Sequence, residues 1–333
     1  MPIPFILAGA AVALGGYGVK KGIDAKDDFD IAKKRNNKAK NIYEEAENKL
    51  ENEKQMTNKS LEQLGYLKAS IYKESLKDFI ETFEKIKNID FNDNLDKGTL
   101  KNLNQQDILN IKSTVIEMHE ILGGGVAAIG SGAAAGLGAL GGVGMLASAS
   151  TGTAIASLSG AAATNATLAW LGGGALSAGG FGMAGGMAVL GGIVAGPVLA
   201  VGGFMMASKA EEAKYTASSN LEKARAAVEQ MSTAGIVLNG IYNRTVEFKT
   251  VLNPLNKIFI AHIKALEYVV DNGTDYKTYS EENKKLVMLT AAMANTIKNI
   301  CDAPIIDEEG KVTIKSKEVL KTASDLMKQI NKV

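Results

Sequence analysis

The most constraining feature of the sequence is an uncharged run of 88 residues, Ile121 to Ser208, which holds 25 of the 36 glycines. Every Lys, Arg, Asp and Glu of the chain lies outside it. A domain that faces water needs charged residues over its whole surface. One crossing of a bilayer takes roughly 20 apolar residues. The run therefore indicates a segment that meets lipid or a protein interior.

The uncharged run divides into an apolar, a polar and a second apolar part. Residues 121–146 and residues 187–207 each hold eight Ile, Leu, Val or Phe, whereas 147–167 holds two of these and eight Ser or Thr. This order predicts a helical hairpin with a hydrophilic tip. Eight such side chains contribute roughly −2 to −5 kcal/mol to insertion of one span. Because such spans are marginal, we expect a segment that a folded protein can shelter before insertion.

The glycines of the run recur at helical spacing. Four G-x-x-x-G pairs occur, and Gly130, Ala134, Gly138 and Gly142 form a row of small residues, which lets helices approach closely in lipid. A flexible Gly/Ala linker stays open as the alternative. The residues predicted to insert or to pack helix against helix are Gly130, Gly132, Gly136, Gly138, Gly142, Trp170, Gly182, Gly186, Gly192, Gly196, Pro197 and Phe204.

A second uncharged stretch, Met1 to Val19, opens the chain. It has the apolar run of a secretory signal but no basic residue before that run, so we favour a retained segment that inserts or packs and leave cleavage open. Basic residues follow it, and anionic lipid attracts such clusters. The predicted lipid-facing or basic surface consists of Phe5, Leu7, Lys20, Lys21, Lys33, Lys34 and Arg35.

The charged flanks carry the periodicity of amphipathic helices. The sequence therefore predicts an all-α fold: an elongated bundle with coiled-coil arms around a central Gly/Ala-rich hairpin. Its predicted segments are an N-terminal apolar segment at 1–22, a first arm at 23–120, the insertion hairpin at 121–208, and a second arm at 209–333 with a small turn near 303–315.

Within the arms, single residues predict where helices begin and end. Gly65 predicts a bend and Asp107 a helix cap, and Pro254 predicts an interruption of the run 236–271. Asn272-Gly273 predicts the end of that run. Ser280, followed by two glutamates, predicts the start of a further helix.

Catalytic and cofactor chemistry leaves few traces. Two GxGxxG matches follow no strand, and no P-loop is present, so we expect no enzyme activity, no cofactor and no metal. The net charge of +1 predicts no nucleic-acid partner. One cysteine, Cys301, excludes an internal disulfide. His119, at the entrance to the uncharged run, is either an ordinary surface residue or a pH trigger.

Three stretches carry a family resemblance: the opening MPIPFILAGAAVALGGYGVKKGIDAKDDF, residues 164–204 and residues 296–310. Together they resemble a bacterial family of unassigned function, across nearly the whole chain. In architecture the chain also looks like helical pore-forming toxins of the hemolysin E type and like apolipoprotein L. That resemblance implies membrane insertion and assembly into a homo-oligomer.

Three functions compete on this basis. The first is a switchable protein that is soluble or cytoplasmic before it inserts and permeabilises a bilayer as an oligomer. It could serve as a toxin or a defence effector, and secretion stays open. The second is a stable membrane scaffold whose helical arms recruit an unidentified protein partner. The third is an enzyme or ligand-binding protein with a buried hairpin. We expect the first, with the lipid bilayer as the partner.

Overall fold

The computed structural model describes residues 19–91, 103–121, 134–139, 141, 210–307 and 310–330. This part of the chain contains six named helices: α1 (Val19–Lys73), α2 (Ser75–Phe83), α3 (Gln105–Ile121), α4 (Ala210–Asp271), α5 (Glu281–Asp302) and α6 (Ile314–Ile330). It also contains a short helical stretch at 134–139 and a 3-10 turn at Tyr276–Thr278. The described residues contain no β-strand, so the all-α prediction is confirmed.

The described residues fall into two compact units. The first unit pairs α1 up to Gln55 with α4 up to Asn239, and the second unit contains the rest, from Met56 to 141 and from Gly240 onward. Each unit therefore takes residues from both predicted arms. The elongated, coiled-coil form of those arms stays a prediction.

The first unit is a pair of parallel helices. Arg35 donates a hydrogen bond to Ser218, and the amide of Asn220 donates one to Asn36 at 3.2 Å. Glu53 lies beside Gly235 further along both helices. Since residue numbers rise together on the two helices, they run in the same direction. The seam buries mainly small and medium apolar side chains: Ala39, Tyr43, Leu50, Leu221, Ala224, Ala227, Met231, Ala234 and Leu238.

The second unit has a larger core around α5. Helix α5 packs against α2, α3 and α6, and its residues 290–294 are buried on every side. Aromatic side chains fill the space between α2 and α4: the Phe79 ring lies 5.1 Å from Phe83 and 5.7 Å from Phe259, centroid to centroid. A helical stretch that is buried all round lies at the centre of a bundle.

Several predicted helix boundaries are confirmed. Ser280 caps α5, because its hydroxyl accepts a hydrogen bond from the Asn283 amide at 3.2 Å. Helix α4 ends at Asp271, directly before Asn272-Gly273. The predicted small turn is present, since the Gly310 amide donates to the Asp307 carbonyl at 3.0 Å and Gly310 has a positive φ of 77°.

Helix α1 continues through Gly65 and ends eight residues later at Lys73, and the predicted bend at Gly65 stays a prediction. Two other predicted features are wrong. Helix α4 likewise continues through Pro254. The carbonyl that loses its partner there belongs to Thr250, an exposed residue, so water can satisfy it. Asn104, rather than Asp107, caps α3: it accepts from the Asp107 amide at 3.1 Å, and Asp107 accepts from the Asn104 amide at 2.9 Å.

Candidate functional site

The described part of the uncharged run lies inside the second unit. Residues 134–139 form a helical stretch whose residues, apart from the half-buried Ala135, are buried, and Gly141 is buried as well. We call this stretch with Gly141 the docked segment. We call the groups that contact it the seat: Leu61, Gly65 and Lys68 of α1, Asp302 at the end of α5, and Ile305 after it.

Glycine on both sides lets the docked segment lie directly on α1. A methyl carbon added at Gly138 would stand 2.8 Å from the carbonyl carbon of Leu61, and one added at Gly65 would stand 2.5 Å from that of Ala134. Side chains essentially never approach a backbone so closely, so glycine is required at both positions. Because Leu61 faces Gly138 and Gly65 faces Ala134, the two helices run antiparallel here.

Gly141 fits a third close approach. Its φ is +73°, in the left-handed region, and a methyl carbon there would lie 2.5 Å from the carbonyl carbon of Asp302. Glycine meets both requirements at once, since it has no side chain and tolerates positive φ. Glycine at this position therefore allows the segment to contact the backbone at the end of α5 directly.

The seat satisfies the last carbonyls of the docked segment. The end of a helix leaves carbonyl oxygens without partners inside the helix. Here the Lys68 ammonium lies 3.3 Å from the carbonyl oxygens of Leu137 and Gly138, and the amide of Ile305 donates to the Ala139 carbonyl at 2.7 Å. Groups from two separate elements thus act together as a cap for a helix end.

The polar side chains at the seat are buried. Lys68 is fully buried, and its ammonium lies 5.4 Å from the centre of the Phe248 ring. Tyr72, one turn further along α1, donates a hydrogen bond to Oδ1 of Asp302, while Oδ2 of Asp302 lies 2.9 Å from the Lys298 ammonium.

Burial shifts the protonation of these groups. It lowers the pKa of Lys68 from 10.5 to about 8, and the negative charge of Asp302 offsets part of that effect. Burial raises the pKa of Tyr72 well above 10, and nearby Asp302 adds to the rise. Burial also raises the pKa of the Cys301 thiol, which makes this cysteine unreactive in the folded protein.

Few of the residues predicted from sequence lie at the seat. Gly136 and Gly138 belong to the docked segment and are buried. The predicted residues outside the described part of the chain are Phe5, Leu7, Gly130, Gly132, Gly142, Trp170, Gly182, Gly186, Gly192, Gly196, Pro197 and Phe204. Their predicted roles stay predictions.

The predicted basic surface is described in part. Lys20 and Lys21 lie in the first turn of α1. Lys33 and Lys34 are exposed, but Arg35 is half-buried and faces Ser218 of α4. His119 is exposed near the end of α3.

Sequence reasoning missed Lys68, Tyr72 and Asp302. The usable signal is a lysine inside an apolar stripe, because Leu61, Leu64, Lys68 and Tyr72 recur at spacings of three and four on one helix. Because an apolar stripe marks the face that packs against the protein, a lysine within the stripe is expected to be buried.

The first unit carries a groove of about 390 Å³ between α1 and α4. Ile42, Val228 and Met231 provide apolar lining, and Glu45 and Lys49 provide charges of both signs. Across the part of the chain that the structure describes, no cluster of three or more His, Cys, Asp or Glu could hold a metal ion.

Two further observations bear on function. None of the helices in the described ranges is both long and apolar enough to cross a bilayer. Comparison of the chain with protein-family models, with curated proteins and with solved structures finds no match.

Proposed function

We propose that the chain is a membrane-inserting helical protein that shelters the start of its uncharged run in the second unit and releases it to insert into a lipid bilayer. One observation carries the proposal. The docked segment, which belongs to the 88-residue uncharged run, occupies a seat built for a helix end, with Gly65 and Gly138 at the contact. The start of the uncharged run thus has a defined place in the fold.

The nature of the contact supports release. Glycine contacts bury little side-chain area, so they hold the segment less strongly than interlocked Leu or Phe would. Once released, the small-residue faces of the segment can pack against other helices in lipid. Assembly as a homo-oligomer, the likeness to helical pore-forming toxins, and the lack of enzyme activity belong to this proposal as expectations.

The test uses a variant outside the uncharged run, so that the inserting sequence stays intact. Gly65→Ala places a methyl group against the Ala134 carbonyl and should push the docked segment off its seat. Overpacking costs about 1–3 kcal/mol, and the gain in helix propensity returns at most about 1 kcal/mol. We expect Gly65→Ala to release dye from liposomes several-fold faster than the wild type.

Gly240→Ala is the matched control. It is also a glycine within a long helix, but its added methyl would meet only Val312, at an ordinary 3.7 Å. Deleting residues 121–208 is a poorer test, because it removes part of the core of the second unit. Far-ultraviolet circular dichroism establishes that each variant is folded before leakage is measured.

The outcomes separate the competing functions. Flotation with liposomes together with leakage, faster in Gly65→Ala than in Gly240→Ala, supports a permeabilising protein. Flotation without leakage supports the stable scaffold instead. A folded protein that ignores liposomes of every lipid composition and pH tried, in the wild type and both variants, would show that the docked segment is ordinary core and that the proposal is wrong.

A further inference from the structure

Lys68 is a buried cation with weak partners. Its side chain is fully buried. An ammonium has three donors, yet Lys68 donates to the carbonyl oxygens of Leu137 and Gly138 only through long hydrogen bonds, both at 3.3 Å. The Phe248 ring at 5.4 Å adds a contact of the cation–π type.

The carboxylate whose charge acts on Lys68, that of Asp302, is already engaged. Asp302 accepts a hydrogen bond from Tyr72 on one oxygen and forms an ion pair with Lys298 on the other. Among the described residues, Lys68 forms no ion pair of its own. A buried charge without a close counter-ion is costly, because water solvates it far better than two long hydrogen bonds to carbonyls do.

We propose that Lys68 makes the occupied seat metastable, so that its buried ammonium favours the state in which the docked segment leaves and water reaches the side chain. In the closed state the docked segment occupies the seat, and in the open state it has left. Lys68 thus destabilises the closed state relative to the open state, although it contacts the docked segment. This inference rests on the proposed function, because it names what regulates release of the uncharged run.

The protonation of Lys68 supports this direction. Burial lowers its pKa from 10.5 to about 8. Below pH 8 the ammonium is charged in both states, and the closed state bears the full cost of burying it. Between pH 8 and pH 10.5 the closed state has lost the proton while the open state retains it, so the closed state gains stability as pH rises.

The other groups that face Lys68 change this pH dependence little between pH 7 and pH 9. Tyr72 on α1 and Cys301 on α5 both keep their protons in the closed state, because burial raises the pKa of each. An open state that exposes Cys301 would oppose the Lys68 effect by about two-fold at pH 9. The Asp302 carboxylate and the Lys298 ammonium form their ion pair at the end of α5. Between pH 7 and pH 9 we expect Lys68 to dominate the change in the equilibrium between the closed and open states. That equilibrium should shift about five- to ten-fold toward the closed state.

The experiment is hydrogen exchange at the Ile305 amide of the full chain, since that amide donates to the Ala139 carbonyl of the docked segment. The exchange rate of an unstructured peptide is divided by the rate of this amide at each pH to give a protection factor. We expect wild-type protection to rise about five- to ten-fold between pH 7 and pH 9. The Lys284 amide serves as the internal reference. It lies away from the seat and donates a hydrogen bond to the Ser280 carbonyl at 2.9 Å.

Lys68→Met supplies the decisive variant, because methionine keeps most of the volume and removes the charge. At pH 7 it should protect Ile305 at least ten-fold more strongly than the wild type, with no rise between pH 7 and pH 9. Lys59→Met, on an exposed position of the same helix, should behave as the wild type.

Lower protection in Lys68→Met than in the wild type would show that Lys68 clamps the segment, and the inference would be wrong. Wild-type protection that stays level or falls between pH 7 and pH 9 would overturn it equally, even if the variant fails to fold. No bilayer enters these measurements. If protection behaves as expected but liposomes stay intact, the proposed function fails while the metastable seat stands.

Discussion

Single residues at the seat show where polar groups enter an otherwise apolar core. Tyr72 and Asp302 form a buried hydrogen bond, and Asp302 lies next to Gly141 of the docked segment. A hydrogen bond to a charged group contributes about 1.5–3 kcal/mol, and an oxygen left without a partner in the interior costs a similar amount. Removal of the Tyr72 hydroxyl should therefore lower the free energy of unfolding more than removal of an exposed hydroxyl.

Tyr72→Phe should lower the free energy of unfolding by about 1–3 kcal/mol, because Oδ1 of Asp302 loses its donor. Tyr268→Phe is the control, since Tyr268 is 74% exposed, and should change stability by less than about 0.5 kcal/mol. Urea unfolding followed by circular dichroism measures both. Equal midpoints for the two variants would contradict the assigned role of the hydroxyl.

The pH dependence of the wild type offers a second readout of the same side chain. Because the pKa of folded Tyr72 is raised above its unfolded value of 10, the stability it contributes is complete below pH 10 and is lost as pH rises further. Tyr72→Phe should lose less stability than the wild type above pH 10. Cys301 adds a loss in the same direction above pH 9 in both proteins.

At the scale of elements, the sequence predicts the presence of helices well, but only some of their boundaries and interruptions. The start of α5 was predictable because Ser280 and the glutamates after it act locally. The continuity of α1 through Gly65 and of α4 through Pro254 was not, because tertiary packing overrides local preference there. The seat could not be predicted at all, since Lys68 meets residues about 70 positions away and Tyr72 meets Asp302 230 positions away.

The cap of α3 gives a prediction at this scale. Asn104→Ala removes the acceptor for the Asp107 amide and should cost about 1 kcal/mol, whereas Asn104→Ser should retain most of the cap. Thermal unfolding of the three proteins checks this order. A serine variant as unstable as the alanine variant would show that the side-chain cap contributes nothing.

At the scale of the whole molecule, the two units differ in what they bury. The seam of the first unit contains many alanines, whereas the core of the second unit contains Phe79, Phe248 and Phe259. Apolar area largely sets the stability of a folded unit. Helix α1 belongs to both units, so one continuous helix should show two levels of stability.

Hydrogen exchange along α1 tests that expectation. Amides between 27 and 50 should exchange at least ten-fold faster than those between 61 and 72, because local opening of a weakly packed pair costs less free energy. Peptide-resolved mass spectrometry on the full chain measures the contrast. Uniform protection from one end of α1 to the other would show that the units open together.

The parallel pairing of α1 and α4 in the first unit has a consequence for attachment. The uncharged stretch Met1–Val19 leads into the start of α1, and the uncharged run leads through Lys209 into the start of α4. Since neighbouring helices lie about 8–10 Å apart, both stretches are tethered at the same end of this unit. Under the proposed function both stretches meet lipid, and two weak ligands tethered at one end act as a bivalent pair, because a membrane that captures one raises the effective concentration of the other.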